Sequence, residues 1–217
     1  MSHSILLCYR PPANLSLVLG MLTLSILALA DEPGQTIPDP GFRPESEYAA
    51  TFLDAAGTAT IAVLPTLVRR VDRTAHSFES QEQVVAFLNE SGIAKAVTKS
   101  RRIDLGSLRR PSQWEIFEYG AESIAANLEG YETGADYTLV MELLVPGDQA
   151  IFGIEVYILN RQRQSAFSFL LNSHHQMFSD AKLVAKDSSE RARSQMIENA
   201  TRIGLMALEA QIERARE

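Results

Sequence analysis

The chain has 217 residues, a formal net charge of −7 and a single cysteine, Cys8. One thiol excludes internal disulfides and thiolate metal sites, and the acidic excess excludes a general attraction to nucleic acid or anionic lipid. A chain of this length can bury one sizeable core without covalent staples.

Residues 1–30 carry one charged side chain, Arg10, followed by an apolar and small-residue stretch from Leu15 to Ala30 that ends in Ala28-Leu29-Ala30. This is the layout of a secretory signal with cleavage after Ala30. The run of about 16 good apolar residues is shorter than the ~20 that span a bilayer as a helix. The expectation is therefore a periplasmic or secreted protein, with no integral membrane span after signal cleavage. Cys8 precedes the apolar run, where a lipidated cysteine cannot sit. Residues 31–58 are expected as an N-terminal tether, because Pro33, Pro38, Pro40 and Pro44 with Gly34 and Gly41 leave little to bury. Residues 59–217 are expected to form a single α/β domain.

Folded structure is expected from Thr60-Ile61-Ala62-Val63-Leu64, a short apolar strand stopped by Pro65. After a polar stretch, Ser80-Gln81-Glu82-Gln83 reads as a capping box opening a helix that Gly92 closes. Ile93 to Thr98 is a weak strand by propensity, supported by position, since strand, helix and strand make a parallel βαβ unit. Ser112-Gln113-Trp114-Glu115 reads as a second capping box. The helix behind it carries Ile116, Phe117, Ile124 and Leu128 on one face, and Gly120 is a point where it is either closely approached or broken. From Tyr137 the period changes to two. Tyr137–Val145, Ile151–Leu159 and Ser165–Leu171 form an antiparallel meander, with Phe152, Ile154, Val156 and Ile158 on one face of its middle strand. Asp187-Ser188-Ser189-Glu190 reads as a third capping box before an amphipathic helix bearing Met196, Ile197, Ala200, Ile203 and Ala207. The fold class expected is thus α/β: a mixed sheet of about five strands, one βαβ unit followed by a three-strand meander, with helices packed on it.

No catalytic or phosphate-binding motif stands out, and no cofactor is implied. His174 and His175, with His76 and Asp180, are the only cluster suggesting a metal. Neighbouring histidines diverge on a strand and on a helix, so exposed loop histidines are the stronger reading. Ser168 and Ser173 lie near them without a nucleophile turn, so a small-molecule-binding or hydrolase role in the His174/His175 region is the weaker alternative. Glu115, Glu118 and Glu122 share a helix face and read as a solvated stripe. Asp136 reads as a turn or cap residue before a strand. Arg69, Arg70, Arg101, Arg102, Arg109 and Arg110 form three basic pairs in an otherwise acidic chain. The last two pairs flank a loop, Ile103 to Leu108, and the six are the expected partner surface.

The order of elements, together with Ile61-Ala62-Val63-Leu64-Pro65, the Gly134-Ala135-Asp136-Tyr137 entry to a strand and the hairpin strand Ile154 to Asn160, resembles a superfamily of bacterial envelope domains. That superfamily includes the curli pore subunit CsgG, LpoB-type activators of penicillin-binding proteins and the amino-terminal domain of TolB. The chain lacks the lipoprotein cysteine of many relatives and the extra hairpins of CsgG. The resemblance implies a non-enzymatic binding or assembly module that contacts an envelope protein partner or further copies of itself, and it brings no active-site residues.

Overall fold

The computed structural model describes residues 47–106, 113–147 and 149–216. The expected signal, its cleavage site, the capping serine Ser112 and the basic pair Arg109 and Arg110 lie outside the described residues.

The described chain opens with α1 (Glu47–Ala55), within the stretch expected as tether. Phe52 is the reason that segment orders: it is wholly buried, its ring edge-on to Tyr137 at 5.1 Å and tilted against Phe167 at 5.7 Å. Burying one such ring stabilises by about 1.5–3 kcal/mol, enough to hold a nine-residue helix that would melt alone.

Three short strands follow: β1 (Thr60–Val63), β2 (Thr66–Arg69) and β3 (Thr74–Ser77). Then come α2 (Phe78–Glu90), β4 (Lys95–Thr98) and α3 (Gln113–Asn127). The long strands β5 (Tyr137–Leu144), β6 (Gly153–Asn160) and β7 (Ser165–Asn172) make the meander, and α4 (Gln176–Ala181) and α5 (Glu190–Arg216) close the chain.

All seven strands belong to one mixed sheet. β1 and β2 pair in parallel with successive halves of β5: Ile61 faces Tyr137 and Val63 faces Leu139, then Leu67 faces Glu142 and Arg69 faces Leu144. They are one strand row interrupted at Pro65, which has no N–H to give a ladder. β4 extends β1 in parallel and β3 folds back on β2, while β6 and β7 follow β5 on its other side. The parallel β1–β4 pair and the meander stand where the sequence puts them. β2 and β3 are additions; they place Arg69 in the sheet and Arg70 and Arg73 in the turn between them.

One face of the sheet, including Ile61, Leu139, Met141, Ile154, Val156, Phe167 and Phe169, packs under α1, α2 and α5. Gly204 lets α5 lie close, since a Cβ there would stand 2.9 Å from the Ile154 methyl. The other face, with Leu64, Leu67, Val140, Tyr157 and Leu159, is covered by Ile103, by Ile124 of α3 and by Leu128 just beyond its end.

Three local expectations change. α2 starts at Phe78 and its cap is Ser77, whose hydroxyl accepts the Ser80 N–H at 3.2 Å; Ser80 itself is buried. α5 is capped by Ser189, which accepts from Ala192 N–H, while Asp187 accepts the Ser189 N–H. Phe152 precedes β6 and is 53% exposed, so it does not share the buried face of Ile154, Val156 and Ile158. Gly120 does not break α3.

Candidate functional site

The loop that follows β4 is fastened at three carbonyls. His76 Nε2 lies 2.8 Å from Ile103 O, an Arg69 guanidinium nitrogen donates to Leu105 O at 3.1 Å, and the Thr74 hydroxyl donates to Gly106 O at 2.9 Å. Ile103 is the apolar anchor, 2% exposed against Leu64 and Leu67. Asn127, in the last turn of α3, accepts the Asp104 N–H with its side chain and receives an Arg101 guanidinium nitrogen on its carbonyl. A surface held this way loses little conformational freedom when it meets a ligand.

The basic pairs divide along that loop. Arg102 is exposed and stacks over the Phe78 ring, 5.1 Å from its centroid, at the start of α2. Arg101 turns to the other end and stands 5.6 Å over Tyr131. Arg70 and Phe78 line one cleft of about 330 Å³ with Val68, Ala75 and Ile197. Beside it, the β2–β3 turn exposes Val71 and Arg73. Arg69 takes no part in this surface: its side chain is 14% exposed and faces inward.

Inward, Arg69 meets a polar group that the sequence reading missed. Its guanidinium lies 3.1 Å from Glu142 Oε1, and Glu142 is wholly buried. Glu142 stands opposite Glu155 in the β5–β6 register, and Glu155 is wholly buried too. The Tyr157 hydroxyl donates to Glu155 Oε2 at 2.6 Å. Two buried carboxylates beside one arginine leave a net negative charge in a dry interior, which a proton removes. Burial, and then the charge of Glu142, push the Glu155 carboxyl well above its ordinary range; burial also raises Glu142, against the opposing pull of Arg69. Glu142 Oε2 and Glu155 Oε1 are both buried without a hydrogen-bond donor, and a proton kept on the Glu155 carboxyl answers that deficit. Burial and the neighbouring carboxylates likewise hold the Tyr157 hydroxyl protonated. The signal was present in the sequence, as a single glutamate in the middle of each of two apolar strands.

Gly120 of α3 lies directly over this group: a Cβ there would stand 2.0 Å from the Tyr157 hydroxyl. The cluster is a keystone between sheet, helix and loop. Through Arg69 it holds the carbonyl of Leu105, in the loop whose first turn presents Arg101 and Arg102.

His174 and His175 fall in the turn between β7 and α4. His174 is exposed and gives its backbone N–H to Asn172 Oδ1, and His175 leads into α4 without a side-chain cap. Among the described residues no three histidine, aspartate or glutamate side chains come together as metal ligands. Asp136 is more than a turn residue. One of its oxygens accepts both the backbone N–H and the hydroxyl of Thr60 at 2.9 and 2.7 Å, and the other accepts from Arg161 at 2.6 Å. It joins the starts of β1 and β5 to the β6–β7 turn. Glu122 is exposed, while Glu115 and Glu118 have side chains outside the described residues.

No protein-family model and no curated protein matches the chain. Among solved structures, the LpoB C-terminal domain from Salmonella enterica is similar with a TM-score of 0.34 and 14% identity, over 57% of this chain and 90% of that one. A PelC dodecamer from Paraburkholderia phytofirmans gives 0.29 and 11%, over 66% and 89%. Escherichia coli LpoB gives 0.28 and 13%, over 79% and 84%. No helix among the described residues is long and apolar enough to cross a membrane.

Proposed function

We propose that this chain is an exported, envelope-associated binding module without catalysis of its own, and that it meets a protein partner on the surface where Arg102 lies over Phe78. The export part rests on the signal-like layout of residues 1–30. The surface rests on one observation: an exposed arginine stacked 5.1 Å from the ring of a phenylalanine that is itself 40% exposed. Arginine and large aromatics are the side chains that most often dominate binding energy at protein interfaces. The flanking cleft at Arg70 and Glu79, with the exposed Val71, Asp72 and Arg73, gives that pair a mixed charged and apolar surround. Arg101 stands apart from that pair, over Tyr131, and Arg69 supports the surface from beneath.

The test is site-specific crosslinking in cells that express the tagged full chain. A photo-activatable phenylalanine replaces Phe78 or Arg102, with Met206 on α5 as the control position, 43% exposed. The expected result is one envelope protein crosslinked from the first two positions and not from the third, and lost from position 78 when Arg102→Glu is added. Adducts with further copies of the chain would identify self-assembly as the contact. No adduct at either position, or the same adducts at all three, would overturn the reading.

A further inference from the structure

A second cleft, of about 450 Å³, opens at the opposite end of the sheet, between the end of α3 and the β6–β7 turn. Its walls include Leu128 and Tyr131 on one side, Thr133 and Thr138 at the entry to β5, and Arg161 and Arg163 from the turn. Leu128 and Thr138 are buried, Tyr131, Thr133 and Arg163 half-buried.

Arg163 is placed against its conformational preference. Its φ is +64°, in the left-handed region where glycine or asparagine sits at less cost. The turn itself asks only for that backbone: Arg163 N–H donates to Asn160 O at 2.9 Å, and Asn160 and Gln164 exchange the remaining bonds. Backbone strain of this kind collects where a side chain has a task. Among the described residues the Arg163 guanidinium has no ion-pair or hydrogen-bond partner, whereas Arg161 is held by Asp136 and the Ala135 carbonyl. One acidic side chain, Glu132, also lines the cleft, without reaching ion-pair distance of Arg163. Arg101 adds a positive charge on Tyr131.

We infer that this cleft is a binding site for a small organic carboxylate, whose charged end meets Arg163 and the hydroxyls of Thr133 and Thr138 while its apolar body lies against Leu128 and Tyr131. The planar guanidinium fork matches a carboxylate with two parallel hydrogen bonds. The volume is that of small-molecule sites and far exceeds what a bare anion needs. The site is independent of the Arg102 surface, and each stands or falls alone.

The test is NMR titration of the full chain with benzoate, and with inorganic phosphate for comparison, on wild type, Arg163→Gly and Arg163→Asn. Both replacements suit the left-handed backbone, so the variants should fold and melt no lower than wild type. The expected result is saturable benzoate binding that shifts the Thr133, Thr138 and Arg163 resonances, is weakened roughly tenfold or more in both variants, and is tighter than phosphate binding. Three outcomes would each overturn the inference: no saturable shift in the cleft, equal affinity in the variants, or phosphate bound as tightly as benzoate.

Discussion

Glu142 and Glu155 face each other across β5 and β6 with no exposed surface, and Arg69 and the Tyr157 hydroxyl grip them from either side. The proton that burial and the facing Glu142 keep on Glu155 links stability to pH. Glu155 keeps its proton in the folded chain and, once unfolded, loses it above its ordinary value of 4.5. The unfolded state therefore binds fewer protons across the window above 4.5, and stability falls as pH rises through it. Glu155→Gln supplies a permanent N–H donor and a carbonyl for Tyr157, and should remove that slope. Melting temperatures from pH 5 to 9 should converge with wild type at the acid end and favour the variant at the alkaline end; parallel curves would refute a protonated Glu155. Glu142→Gln has a different cost, because it leaves the Arg69 charge unpaired, and it should destabilise by about 3 kcal/mol or more.

Asp136 has the opposite sign. Hydrogen bonds from Thr60, and then the Arg161 charge, lower its pKa below 3.8. Its contribution is present above that value and is lost as pH falls through the folded pKa. Because its side chain is 39% exposed, solvent screens the ion pair, and Asp136→Asn should cost only about 1 kcal/mol at pH 7. Urea denaturation at pH 7 and pH 3 should show that difference shrinking at the lower pH. An undiminished loss at pH 3 would mean that the carboxylate charge has no part in the clamp.

Much of this fold was legible because it depends on period. β5 to β7 alternate or run apolar for eight residues each, and α5 repeats Met196, Ala200, Ile203 and Ala207 at helical spacing. β2 and β3 were not legible, since four residues such as Thr74-Ala75-His76-Ser77 hold too few apolar side chains to show a period. They are strands because β5 offers a free row beyond Pro65. α1 was hidden by the prolines before it, although a single phenylalanine holds it. The arginines were visible as pairs. Whether each faces in or out depends on tertiary partners: Arg69 turns to Glu142, 73 residues away, while its neighbour Arg70 lines a surface cleft.

Gly120 carries a packing demand that no other residue meets. A methyl group at that position overlaps the Tyr157 ring, with its nearest atoms at 2.0 and 2.5 Å. Gly120→Ala gains helix propensity, yet it should destabilise by about 1–3 kcal/mol, because helix or ring must move. The shift should also loosen the Tyr157–Glu155 bond, so the variant should gain near-ultraviolet circular dichroism changes along with a lower Tm. A Tm at or above that of wild type would show that α3 does not rest on Tyr157 as described.

β4 ends the sheet on the side of β1, and such an edge invites pairing with another chain. Its ladder to β1 uses Lys95 N–H and Lys99 N–H, which leaves Ala96 facing outward. Asn89 of α2 occupies that position: its carbonyl accepts the Ala96 N–H and its amide donates to the Ala96 carbonyl, both at 3.1 Å. One side chain thus takes the place of a neighbouring strand residue. Asn89→Ala removes both bonds at a part-buried site, and the cost should be near 1–2 kcal/mol. The larger effect should be on association. With Val97 45% exposed beside the freed backbone, sedimentation velocity should show the variant forming dimers or larger species at concentrations where wild type shows none. If the variant loses stability but sediments as wild type does, Asn89 only fastens α2 to β4 and the edge is guarded by its shortness alone.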